Sequence, residues 1–157
     1  MSAYKYDFLE IELNFPKFEF RLEETDGKLS IFDSLRKKNL MLTPEEWVRQ
    51  HMIAFLIQYH NYPKSLISLE KGLKYNQLQK RSDILVLDRD GKAFLLIECK
   101  APEIQLSQKT VEQVSVYNKS IAAPFVGISN GIHHLFLSFD PKTQSYKQIV
   151  EIPQFDV

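Results

Sequence analysis

The sequence predicts an α/β domain carrying a β-rich N-terminal extension, and three observations predict it. A helix with both ends marked follows residue 42. Strand-like runs lie on both sides of a second, polar helix. Gly-containing turn signals at Asp26-Gly27, Asp90-Gly91 and Asn130-Gly131 separate runs rich in Leu, Ile, Val and Phe. A length of 157 residues, 44% of them hydrophobic, with only five Gly and seven Pro, suits one compact domain with a sizeable core.

The elements follow in order. Residues 1–40 read as an extension: "KFEFRLEE" alternates Phe18, Phe20 and Leu22 with charged residues, "TDG" turns, and "KLSIF" answers as the second strand of a hairpin with one wet face. Residues 41–139 read as the core. Its first helix lies in "LTPEEWVRQHMIAFLIQYHNYP", where Thr43 suits the N-cap, Pro44 the first helical position, and Glu46 the return half of a capping box. A strand candidate in "LISLEKGLKY" comes next, then two strands within residues 81–100, then a polar helix from near Ser107 to about Ser120. "APFVGIS" and "IHHLFLSF" form a pair of strands joined by Asn130-Gly131, and "YKQIVEI" adds a last strand within residues 140–157. No internal repeat, low-complexity run or linker divides the chain.

Twenty basic residues balance twenty acidic ones, so a polyanion-binding surface would have to come from local clustering rather than net charge. Cys99 is the single cysteine and has no internal disulfide partner, and no apolar span approaches twenty residues. The opening residues lack a secretory pattern, so the expected compartment is the cytoplasm, away from membranes.

The chemistry concentrates in "RSDILVLDRDGKAFLLIECK", Arg81 to Lys100. If Asp90-Gly91 is a two-residue type I′ turn, Arg89 pairs with Lys92 and the same register sets Asp83 opposite Glu98, with Cβ atoms about 4.5–5.5 Å apart. Like charges in that relation need a cation between them. Strand alternation puts Lys100 on the face of Glu98, with Phe94 and Leu96, and Arg81 opposite Lys100 on the face of Asp83. Two carboxylates without a neighbouring His or second Cys are hard oxygen ligands that suit Mg²⁺ or Mn²⁺ better than zinc. Such an ion can polarise a phosphoryl group, and Lys100 can orient a water or neutralise charge on phosphorus, which is chemistry for phosphodiester hydrolysis.

Asp83 followed by Glu98-Cys99-Lys100 resembles the Asp…(Glu/Asp)-X-Lys signature of the PD-(D/E)XK nuclease superfamily. With "LTPEEWVRQ", "KRSDILV", "LLIECKAP", "QVSVYN" and "ISNGIHH", the text from about Ile31 to Phe136 resembles the N-terminal domain of type I restriction enzyme R proteins. The resemblance implies a restriction-endonuclease-like mixed β-sheet flanked by helices and Mg²⁺-dependent DNA cleavage. It also implies metal ligation by Asp83, Glu98 and the Cys99 carbonyl, and a Gln-X-X-X-Tyr element, here Gln113 and Tyr117, that positions DNA. Ser82 stands where the superfamily name has Pro. The chain holds no Gly-X-X-X-X-Gly-Lys-[Ser/Thr] loop, so a motor or specificity function would come from a separate protein.

Each feature also has a structural reading. A superfamily glutamate near the metal matches Glu45, which at 100° per residue falls on the stripe of Val48, Met52, Phe55, Leu56 and Tyr59; Glu46 lies off it. Helix-dipole stabilisation, with Glu45 paired to Arg49, explains the same residue without function. Gln113 and Tyr117 share a helix face, and Tyr117 can equally pack against Val114 and Ile121. His133 and His134 point to opposite faces and suit a hairpin. Cys99 alternates away from Glu98 and suits the core, as do Trp47 and the Phe residues of the extension. Glu70 matches a family glutamate without a chemical role assigned. Two functions follow: a metal-dependent DNA endonuclease domain, or a catalytically inactive DNA-binding or protein-interaction module on the same fold. In either, edge strands of the extension offer a route to a homodimer.

Overall fold

A computed structural model describes residues 3–68 and 83–155, with Ala3, Tyr4 and Asp83 given by their backbone alone. The extension begins with a 3₁₀ helix over Ala3–Glu10. Three antiparallel strands follow, β1 (Leu22–Thr25), β2 (Lys28–Asp33) and β3 (Lys38–Met41), in that spatial order. Asp26 and Gly27 make the expected two-residue turn, with φ of 54° and 77°, the left-handed pair that a type I′ turn requires.

The expected hairpin is therefore a three-stranded sheet, and its first strand starts at Leu22 rather than at Lys17. Phe18 and Phe20 stand outside it because the following helix takes their rings: Phe20 lies 4.8 Å from the His51 ring and 5.4 Å from Trp47, and Phe18 lies 6.1 Å from His51. β3 escaped sequence reading because "KNLM" is short and largely exposed. Phe8, Ile31 and Leu42 form a small core with Trp47 against it, which seats the extension on the start of that helix.

Helix α1 (Pro44–Ala54) begins as its sequence specifies, with Thr43 Oγ1 accepting the Glu46 N–H at 3.0 Å. The return half of the capping box gives way to another use: the Glu46 carboxylate accepts from Arg49 Nη2 at 2.6 Å and Gln50 Nε2 at 2.8 Å. From Phe55 to Tyr59 the helix widens to π geometry, and the His60 N–H reaches back five residues to the Phe55 carbonyl at 3.2 Å. The wider turn keeps Leu56 buried but carries Tyr59 out to 58% exposure, so a constant 100° stripe fails at that end.

The second sheet holds β4 (Ile67–Ser68), β5 (Asp83–Leu87), β6 (Ala93–Cys99), β7 (Phe125–Ser129), β8 (His134–Asp140) and β9 (Ser145–Ile149), in that order. Only β6 and β7 run parallel, and α2 (Gln108–Ile121) connects them, as a parallel pair demands. Ser107 caps α2 in a reciprocal pair with Thr110, close to where the sequence places the helix start. The sheet is thus mixed, with a helix on each face. Ile84, Val86, Leu95, Ile97 and Cys99 pack beneath Val48, Met52 and Leu56 of α1. Leu85, Leu96, Val126 and Ile128 pack beneath Val114, Tyr117 and Ile121 of α2. Of the strand expected near residues 66–75, β4 is the described part; Glu70, Arg81 and Ser82 lie outside the described residues.

The β5–β6 hairpin reaches the expected register by a different path. Asp83 faces Glu98 and Val86 faces Leu95, but Leu87 faces Ala93, one residue out of step. The turn itself is longer than expected: the Asp88 N–H donates to the Lys92 carbonyl at 2.7 Å around a three-residue loop, 89–91, with Gly91 at φ +81°. Asp88 Oδ1 stabilises the loop by accepting from the Asp90 and Lys92 N–H groups, each at 2.9 Å. A bulge at Phe94 then restores the register and turns that ring away from Leu96, to the α1 face, where it meets Tyr62 at 6.2 Å and Phe155 at 5.3 Å. Arg89 therefore does not pair with Lys92, and Phe94 does not share a face with Glu98 and Lys100.

Candidate active site

The candidate site forms where β6 ends and β5 begins, beside the end of parallel β7. Glu98 is the last even-numbered residue of β6 and points with Leu96 toward the α2 face, where it is 3% exposed. Lys100, one residue past the strand, returns to the same face: its Nζ lies 3.2 Å from Glu98 Oε2. The alternation argument for these two residues holds, and the ion pair is its direct expression. Asp83 occupies the cross-strand position facing Glu98.

The backbone of Lys100 is held by β7, since its N–H donates to the Ser129 carbonyl at 2.8 Å. Cys99 sits between the two charged residues but on the other face, fully buried among the side chains beneath α1. Its sulfur is therefore on the far side of the sheet from Glu98, leaving the backbone carbonyl as the ligand it can offer there. Among the described residues no three His, Cys, Asp or Glu side chains are grouped to hold a metal. The donor set that the register brings together, two carboxylate positions and a carbonyl, fits a small hard ion that keeps several of its waters.

The remaining sequence-predicted residues are spread more widely. Glu45 is exposed in the first turn of α1, and Arg49 pairs bidentately with the neighbouring Glu46, Nη2 to Oε1 at 2.6 Å and Nε to Oε2 at 3.2 Å. The expected Glu45–Arg49 pairing is thus replaced by an i, i+3 pair that buries the guanidinium to 2% exposure. On α2, Gln113 is exposed and Tyr117 is buried at 4% beside Val114 and Ile121.

The hairpin reading of His133 and His134 leaves out the polar contacts that join β7 and β8 beside Lys100. Ser129 Oγ lies 2.7 Å from His134 Nδ1 and accepts the Gly131 N–H at 2.9 Å. His134 Nε2 lies 2.8 Å from the Asn14 carbonyl, which only accepts; Nε2 therefore carries the proton and Nδ1 receives the Ser129 hydroxyl. Burial holds the His134 pKa below its ordinary value, against the Asn14 hydrogen bond. The Asn14 N–H returns to the Gly131 carbonyl at 2.7 Å, so the extension is tied to the β7–β8 turn beside the site. The partner of His134 Nε2 lies 120 residues away in sequence, where no local pattern reports it.

The sequence model of one family, described as type I restriction enzyme R protein N terminus, matches residues 44–153. The match starts at the first residue of α1 and takes in the whole second sheet, leaving the three-stranded sheet outside. No curated protein and no solved structure matches the chain.

Proposed function

Because this chain belongs to the type I restriction enzyme R protein N-terminal family, we propose that it is a PD-(D/E)XK-type, Mg²⁺- or Mn²⁺-dependent DNA endonuclease domain. The observation that carries the proposal is the buried Glu98 carboxylate paired with Lys100 on one face, directly across from Asp83. Asp83, Glu98 and the Cys99 carbonyl would hold the ion, with Glu45 as a further candidate. When bound, the ion supplies Lewis-acid polarisation of a phosphodiester oxygen and a more acidic water.

The chain's own residues account for the rest. Glu98 holds Lys100 by charge, and the Ser129 carbonyl holds it by backbone, so its ammonium is presented at a set position to orient a water or to neutralise charge developing on phosphorus. Gln113, exposed on α2, and Arg81, two residues before Asp83 in the sequence, are the groups proposed to contact the DNA backbone. Tyr117 serves the same interface by packing α2 against the sheet. A separate motor or specificity protein would deliver the substrate. A binding module is the second reading, favoured by β1, all four residues of which are exposed as an edge open to a second copy or another protein. No helix among the described residues is long and apolar enough to cross a membrane, and the proposed location is the cytoplasm.

Calorimetric titration of Mg²⁺ and Mn²⁺ into the parent and Glu98→Ala, with and without a short DNA duplex, tests the proposal. Binding that Glu98→Ala abolishes, together with metal-dependent nicking of plasmid by the parent, supports it. Silence in every titration moves the binding-module reading to first place.

A further inference from the structure

We infer that Asn130 is a positioning residue for Lys100, an inference that rests on the reading of Lys100 as the catalytic cation. β6 ends at Cys99, and among the described residues the Lys100 N–H makes the last bond from this strand end to β7. The chain after Lys100 turns at once: the Ile104 N–H closes onto the Ala101 carbonyl at 3.0 Å, and Ala101 is buried at 4% exposure. The turn leaves the Ile104 carbonyl to find a partner, and Asn130 Nδ2 supplies it at 2.7 Å from across the sheet.

The other end of the same amide holds the β7–β8 turn. Asn130 Oδ1 accepts the Ile132 N–H at 2.9 Å and the His133 N–H at 2.8 Å. The orientation of the amide follows from its partners, since two N–H groups need an acceptor and a carbonyl needs a donor. At 3% exposure the side chain is sealed from water, which makes these bonds worth more than their surface equivalents. Consecutive residues of one strand end thus hold the segment that carries Lys100 at two points: the Ser129 carbonyl accepts the Lys100 N–H, and the Asn130 amide donates to the Ile104 carbonyl four residues on. A turn that only needed closing would be served by the oxygen alone; the nitrogen is committed to the segment that leaves Lys100.

The oxygen and nitrogen roles separate by mutation. Asn130→Asp keeps an acceptor for Ile132 and His133 but sets an oxygen against the Ile104 carbonyl. Asn130→Ser keeps a short acceptor that cannot span to Ile104. The experiment is amine acetylation of the folded full chain, followed site by site by mass spectrometry, with exposed Lys119 and Lys142 as internal references. Both variants are expected to raise the Lys100 rate about threefold or more relative to those references, as its local restraint is lost. An unchanged Lys100 rate in a variant with parental circular dichroism overturns the inference. Cleavage kinetics supply the second arm: Asn130→Asp is expected to lower kcat about tenfold with KM for DNA unchanged, and to add nothing to the loss already caused by Lys100→Met. Losses that multiply in the double variant overturn it. A parent that does not cleave refutes the nuclease reading alone, and the acetylation rates still decide whether Asn130 restrains Lys100.

Discussion

Lys100 Nζ lies 3.2 Å from Glu98 Oε2, and only the lysine of this pair reaches solvent, its side chain 25% exposed against 4% for the glutamate. The asymmetry separates structure from function. Lys100→Met leaves a carboxylate in the sheet without its ammonium and is expected to lower stability by about 1–3 kcal/mol, less than for a fully sealed pair because water reaches the lysine. Glu98→Gln removes the charge but keeps the shape. Its melting temperature is expected to stay near that of the parent while the shift produced by added Mg²⁺ or Mn²⁺ disappears. Thermal melts with and without metal check both; a metal-induced shift that survives in Glu98→Gln would remove Glu98 from the ligand set.

Gly127 is required by a ring. A Cβ on it would stand 2.6 Å from Phe136 Cε1, 2.9 Å from Phe136 Cδ1 and 3.2 Å from Ile97 Cγ1, because Phe136 is its cross-strand partner and one edge of the ring takes the space a side chain would need. Phe136 is 6% exposed and has little room to yield. Gly127→Ala is expected to destabilise the protein by about 1–3 kcal/mol through overpacking, measured by urea denaturation. Phe136→Leu in the same background should recover part of that loss.

Acid is expected to weaken the fold through its histidines. Burial holds His51 below the ordinary value of 6.5, against a hydrogen bond to the Trp47 carbonyl, and does the same to His134, against the Asn14 bond and with His133 adding repulsion. His60 is lowered by burial as well, with Glu151 opposing. Since the folded values lie below the unfolded ones, the unfolded chain takes up protons first. Stability is then complete above about pH 6.5 and declines as pH falls from there through the folded values. Urea midpoints between pH 7.5 and 5 should show the decline. His51→Phe should flatten it, and a parent midpoint indifferent to pH would disprove the linkage.

Tyr62, three residues past the π turn, joins that stretch to the C-terminal segment. Its hydroxyl donates to the Pro153 carbonyl at 2.5 Å while the ring stacks at 5.4 Å from Phe155, and burial drives the phenol pKa above its ordinary value. Tyr62→Phe leaves that half-buried carbonyl without its donor and is expected to cost about 1 kcal/mol. Faster hydrogen exchange confined to residues 150–155 would identify the loss as local.

The parts of this fold that were legible in the sequence are those specified by neighbours in the chain. Thr43-Pro44 and Ser107 mark helix starts because caps act over three residues, and Glu98 and Lys100 share a face because a strand alternates. The register of Asp83 with Glu98 was also legible, although the turn assumed for it was not. Residues whose roles come from distant partners were not legible. His134 is defined by Asn14, Phe18 and Phe20 by His51, and Asn130 by Ile104; nothing in the adjacent sequence encodes those contacts. Tyr59 was misplaced for a subtler reason, since the π turn changes the period that the stripe argument assumes. Arg81 and Glu70 lie outside the described residues and were not addressed by the fold.

The β5–β6 hairpin carries two one-residue offsets of opposite effect, the long turn at 89–91 and the bulge at Phe94. Taking one residue out of the turn, or Phe94 out of the bulge, leaves Leu87 opposite Ala93 and Val86 opposite Leu95, so β6 keeps its faces; a residue gained or lost between Leu95 and Glu98 would exchange them, sending Glu98 into the apolar layer under α1 and Cys99 toward Asp83. Removing one residue from the turn and Phe94 at the same time would leave every residue from Leu95 to Lys100 in its present place. Relatives that differ in length at the turn or the bulge can therefore keep the same carboxylate geometry, whereas a one-residue difference between Leu95 and Glu98 has to be absorbed by a new bulge.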